Sequence, residues 1–282
     1  READRLQQMM LLLSDTTPTT DRLSFLAEHG LSMANYGRMG EADKLWRFCL
    51  DEGRKERQHH SALLCASRAL EALTWLELPV AGSPWIEAAR KVLAEPELDQ
   101  DIRRLHTMVL LWTEARARLL ADPGDAADAQ ALLERVQAFP QNALPFALKA
   151  WLIDEITFAL ALHEGEEDTL RRLLANRRTA NELEGRKASC LLQHKRAQVG
   201  AAIEDGEMSA TALAVIANDQ CSDHPFQGVG RARARVALAE LLERRGDTKA
   251  ADALLKAFWE AWPRADEALP IVKSATGLSP RP

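Results

Sequence analysis

Apolar residues recur along this chain at intervals of three and four, and hardly anywhere at the two-residue interval of a half-buried strand. The clearest stretch is LSFLAEHGLSMANYGRMGEADKLWRFCLDEGR, residues 23–54. Its spacing predicts one helix from Leu23 to Tyr36, a stop at Gly37, and a second helix with Ala42, Leu45, Trp46 and Cys49 on one face. Gly30 and Ala42 let the two backbones approach, while Met33 and Trp46 fill the space beside them. The same pattern continues in both directions. Residues 1–14 read as an amphipathic helix with Leu6, Met9, Met10 and Leu13 on its apolar stripe, and Pro18 then breaks the chain so that Thr19 or Thr20 caps the next helix.

Further helices are expected over Glu56–Leu76 and Pro84–Ala94, the latter capped by Ser83. Others follow over Asp99–Leu120, from Asp125 to Pro140, and over Ala143–His163, Glu166–Asn176, Asn181–Glu204, Met208–Asn218, Arg231–Arg245 and Thr248–Trp262. Ala265–Ala275 reads as a last short helix covering the end. Ala143–His163 is apolar around much of its circumference, which predicts a central position. Asp219–Gly230, DQCSDHPFQGVG, is the one long irregular stretch and a candidate contact point. The expected architecture is all-α: an α-solenoid of five or six antiparallel helix pairs spanning the chain as a single domain.

Three hairpins share a register. Counted from the turn glycine, Gly37, Gly124 and Gly246 are preceded by Gly30, Ala117 and Ala239 and followed by Ala42, Ala129 and Ala251. Trp46, Leu133 and Leu255 come one turn further on, and Pro140 and Pro263 close the last two. This arrangement resembles the tetratricopeptide repeat, whose helix pairs use a small residue in the first helix and an alanine early in the second. The final stretch, FWEAWPRADEALPIVKSA, is similar to the ends of repeat arrays in bacterial signalling and regulatory proteins. The resemblance implies a non-enzymatic scaffold that holds a protein or peptide partner in a concave groove lined by the first helix of each pair. Carried over, the groove positions are Ser24, Ala27, Leu31 and Asn35 in the first unit, Glu114 and Arg118 in the middle one, and Arg233, Glu240 and Glu243 in the last. Members that clamp acidic chaperone tails need Lys and Asn where this chain has Ala27 and Leu31, so that partner is not expected.

Composition agrees with helix, because hydrophobic residues make up 46% of the chain while aromatics make up only 5%. The formal charge of −6, with both signs interspersed, lacks the basic field that a phosphate backbone requires, so nucleic acid is not an expected partner. No apolar run is long enough to cross a bilayer. The first residue is Arg1 rather than Met, which reads as a processed form or an excised segment. Self-association through the terminal helices is a variant of the scaffold reading.

The four cysteines, Cys49, Cys65, Cys190 and Cys221, are far apart, and the first three lie among Leu and Ala. They read as free, buried thiols, which favours a reducing cytoplasm. Cys190 with His194, and Cys221 with His224, have spacings that could form a Cys2His2 zinc set. That supports a second reading, a ligand- or metal-sensing domain with its site near those residues and the 219–230 loop. Arg231 and Arg235 share a helix face, which reads first as a solvated face; the alternative is an anchor whose guanidinium groups grip the carboxylate of an acidic peptide. No nucleophile elbow, zinc-protease helix or complete phosphate loop is present, so neither a cofactor nor a catalytic set is expected.

Overall fold

The computed structural model describes residues 18–76, 78, 83–121, 126–138, 146–176, 188–222 and 226–278. The expected helix over 1–14, the turn at Gly124, Pro140 and His224 lie outside them. The described chain is all-α: α1 (Thr19–Asn35), α2 (Met39–Lys55), α3 (His59–Trp75), α4 (Pro84–Leu93), α5 (Gln100–Ala121), α6 (Ala126–Ala138), α7 (Phe146–Glu164), α8 (Glu167–Asn176), α9 (Cys190–Ala202), α10 (Gly206–Ala217), α11 (Gln227–Arg244), α12 (Thr248–Ala261) and α13 (Pro270–Leu278). Two-residue strands β1 (Ala188–Ser189) and β2 (Cys221–Ser222) pair in parallel. The segment expected to be irregular over 219–230 is therefore shorter than its sequence suggests. β2 takes its beginning, and α11 begins at Gln227, using Gly228 and Gly230 as helical residues.

Sequence-neighbouring helices pack as pairs, and the reasons are local. Gly37 and Gly246 adopt φ of +72° and +83°, so each chain reverses there, and the following amide donates to the carbonyl five residues back (Arg38 to Met33, Asp247 to Leu242). At Gly30 a methyl group would lie 2.4 Å from Nε1 of Trp46, which itself donates to the Ala27 carbonyl at 3.1 Å. The tryptophan fits only because position 30 has no side chain. Ser83, Asp99, Ser189, Asp205 and Asp247 accept backbone N–H bonds at the starts of α4, α5, α9, α10 and α12. Thr19 and Thr20 do not cap α1. The helix begins on Pro18, whose carbonyl accepts from Asp21 and Arg22, and the Thr20 hydroxyl bonds Gln58 instead.

All four cysteines are paired, Cys49 with Cys65 between α2 and α3 and Cys190 with Cys221 beside the β1–β2 pair. This corrects the reading of free thiols and removes its argument for a reducing compartment. Helix packing brings Cα atoms that are 16 and 31 residues apart to 6.3 and 4.9 Å, a proximity that spacing along the chain does not reveal. Among the described residues no helix is long and apolar enough to cross a membrane.

The largest core cluster unites the two ends of the described chain. Leu23, Leu26 and Trp46 of the first hairpin share it with Phe226, Val229, Phe258, Trp262 and Val272. Polar contacts reinforce this closure. The Asn35 side-chain oxygen accepts from the backbone N–H groups of Gly228 and Val229 at 2.9 and 3.2 Å, while its carbonyl accepts from Trp262 Nε1 at 2.9 Å. Asp266 donates its amide to the Gly37 carbonyl and accepts from the Gly40 amide at 2.7 Å. The segment after α12, expected to cap a free end, is thus wedged against the turn of the first hairpin. Smaller clusters join α5, α6 and α7, then α7, α8 and α9, then α9 to α12.

Candidate functional site

A cavity of about 440 Å³ lies where α7, α9, α10 and α11 meet the end of α3. Its wall is largely apolar, with Phe158, Leu162 and Leu213 interspersed with alanines. Ala159 on α7, Ala197 on α9 and Ala234 and Ala237 on α11 line it with small side chains. Between α9 and α10 packing is tight: a methyl group at Gly200 would lie 2.7 Å from the Ser209 amide. The Ser209 hydroxyl donates to the Ala197 carbonyl, tying α10 to the middle of α9.

Polar groups converge on this apolar wall. Lys195 of α9 and Glu155 of α7 form an ion pair of 2.6 Å with side chains only 3% and 4% exposed, and the ammonium also lies 4.3 Å from the Phe158 ring centre. Burying two charges is costly, and their pairing across the helices offsets part of that cost. His194 stands edge-on to Trp75, with ring centres 5.1 Å apart, and Gly230 leaves room for it, since a methyl group there would lie 2.6 Å from Nε2. Arg233 donates from Nη1 to the carbonyl of Trp75, the last residue of α3. These contacts hold imidazole and guanidinium at one end of the cavity.

The groove positions taken from the repeat resemblance do not meet at one surface. Asn35 is engaged in closing the ends of the fold. Glu114 is buried and accepts from Arg90 at 2.9 Å beside a separate cleft between α4, α5 and α6. Arg233 lines the central cavity, while Glu240 and Glu243 lie half-buried on the later part of α11. Arg118 is in α5, and its side chain is outside the described set. Ala27 is fully buried and Leu31 nearly so, which makes both core residues.

The Cys2His2 arrangement does not form, because the disulfide leaves neither Cys190 nor Cys221 as a thiolate ligand. Among the described residues no group of three or more His, Cys, Asp and Glu is placed to hold a metal ion. Arg231 pairs with Asp219, and Arg235 donates to the carbonyls of Ala217 and Ala257. Burial first, and the neighbouring Arg231 second, lower the pKa of Arg235. Both arginines border a second, open cleft with Glu28, Asn35 and Tyr36.

Sequence reasoning found His194 and Arg233 but missed Trp75, Glu155, Phe158 and Lys195. One signal was available: Glu155 is an acid in the middle of a strongly apolar helix, and such a group needs a cationic partner from elsewhere. Comparison with protein-family models, with curated proteins and with solved structures finds no match for this chain.

Proposed function

We propose that this chain is a non-enzymatic regulatory module of tetratricopeptide-like helical hairpins that binds a small molecule in the cavity between α7, α9 and α11. The observation that carries this reading is the cavity itself: a mostly apolar wall of ligand-sized volume on which Arg233, His194 and the Lys195–Glu155 pair converge. Its location favours sensing. Residues from the middle of the chain (α7), from α9 and α10, and from the closing α11 and α3 all touch it, so an occupant would bridge parts of the fold that otherwise meet through separate cores. The test is ligand-observed NMR of a fragment library against the native chain and Ala159→Trp, a substitution that places an indole in the cavity. Hits that bind the native chain and not the variant are expected. Equal binding to both, or none to either, would reject the cavity as the site.

Partner docking along α11 is the second reading. It is favoured by Glu240 and Glu243, which stay half-exposed on that helix. Loss of a captured partner on Glu240→Arg, with cavity ligands unaffected, would select it.

A further inference from the structure

We infer that the cavity takes an uncharged, ring-bearing organic molecule of on the order of ten to eighteen non-hydrogen atoms, with no more than a single polar group. This inference rests on the proposed cavity reading and names its ligand class. Size comes from the volume: about 440 Å³ is roughly three times the 150 Å³ of a protein cavity that holds one benzene ring. Two fused rings, or one ring with a short chain, suit such a space.

The lack of charge follows from how the wall holds its own charged groups. Lys195 and Glu155 form their 2.6 Å pair with only 3% and 4% of their side chains exposed, so each charge is answered by the other. The ammonium also sits over the Phe158 ring. Arg233 donates to the Trp75 carbonyl, and His194 meets the Trp75 ring edge-on. His163, like these four groups, is engaged within the fold. A carboxylate or ammonium on a ligand would shed its water and then have to displace one of these contacts to find a counter-charge. Burying a charge on those terms is costly, and an uncharged ligand meets no such cost.

The apolar part of the wall supplies the attraction. Phe158 and Leu162 of α7 form one stretch of it, Leu213 of α10 another, and Trp75 stands at the end of α3. Removing water from such a surface favours an apolar body, and a ring adds offset or edge contacts with Phe158 and Trp75. Gln198 also lines the cavity and carries an uncharged amide, which can bond one hydroxyl or carbonyl of the ligand.

Three naphthalene probes of like size separate the classes: 2-naphthylmethanol, 2-naphthoate and 2-naphthylmethylammonium, each titrated into the whole chain by isothermal calorimetry at neutral pH. The alcohol should bind about tenfold or more tightly than either ion. Ala159→Trp places an indole in the cavity and should abolish that binding. Ala237→Trp, which does the same from α11, takes its place if the first variant loses the native far-ultraviolet circular dichroism spectrum. An ion that binds within about tenfold of the alcohol, or more tightly, and is lost in the blocked variant would overturn the uncharged class alone. No binding of any probe, or binding that persists in the blocked variant, would overturn the cavity reading along with it.

Discussion

Asn35→Ala isolates the contact that joins the first hairpin to α11. Helix α11 has Phe226 at its N-cap and therefore no capping side chain of its own. Its N–H groups at Gly228 and Val229 are satisfied by the Asn35 side chain, 193 and 194 residues away. Asn35→Ala removes that acceptor and leaves two N–H groups of the first turn without it, whereas the bond from Trp262 goes to the Asn35 backbone carbonyl and survives. Loss of a cap costs about 0.5–2 kcal/mol, and the part-buried setting of these amides places the expected cost toward the upper end of that range. Asn35→Asp restores an acceptor and adds a negative charge at the positive end of the helix, so it should recover most of the loss. Urea denaturation followed by far-ultraviolet circular dichroism gives the free-energy differences, and hydrogen exchange at residues 228–232 reports the local opening. If Asn35→Ala costs under about 0.3 kcal/mol, or if Asp behaves as Ala does, Asn35 does not act as the cap of α11.

Two other parts of the fold make separate predictions. His106 is buried beside His60 and Ser67, and burial first, then the His60 charge, lowers its pKa from 6.5 to about 4. Between those values the unfolded chain takes up a proton that the folded chain refuses. Its contribution is therefore complete above pH 6.5 and is lost as pH falls toward 4, by up to about 3 kcal/mol. Denaturation of His106→Gln across that range should show a shallower slope than the native chain, and an unchanged slope would refute the assignment. The two disulfides close loops of 16 and 31 residues, and reducing them should destabilise the fold by roughly 3 and 4 kcal/mol respectively. A thiol titration of the unreduced, denatured chain should find none free, and reactive thiols there would contradict the pairing.

The sequence made the helices legible because apolar periodicity and turn chemistry are local. Gly37 and Gly246 end their helices as their positions imply, Ser83 caps α4, and Trp46 rests on Gly30 as a small residue facing a large one suggests. A hydroxyl at Thr19 or Thr20 suits a cap, but the Pro18 carbonyl supplies the first acceptor and the helix begins earlier. What the sequence could not show was which helices meet across long separations. Nothing in the spacing of Asn35 points to the start of α11, and nothing near Trp262 or Asp266 points to Gly37. The same blindness explains the cysteines, which look like core thiols until the helices bring them together. It also explains the scattered groove residues. The family register assigns them by position along an open array, whereas in the structure Asn35 joins the first hairpin to α11 and Arg233 lines the cavity.

The closure that joins the first hairpin to the segment after α12 is tested most directly by Gly40→Cys combined with Asp266→Cys. These positions are 226 residues apart, and the Gly40 amide lies 2.7 Å from the Asp266 carboxylate. A methyl group at Gly40 would lie 3.6 Å from the same oxygen and meet nothing closer, so a cysteine fits there. Mild oxidation followed by peptide mass mapping should recover a fragment pair joined between residues 40 and 266, in a monomer of increased gel mobility. If both introduced thiols remain open to alkylation while the protein is folded, the first hairpin and the segment after α12 do not meet, and the account of a closed fold is wrong.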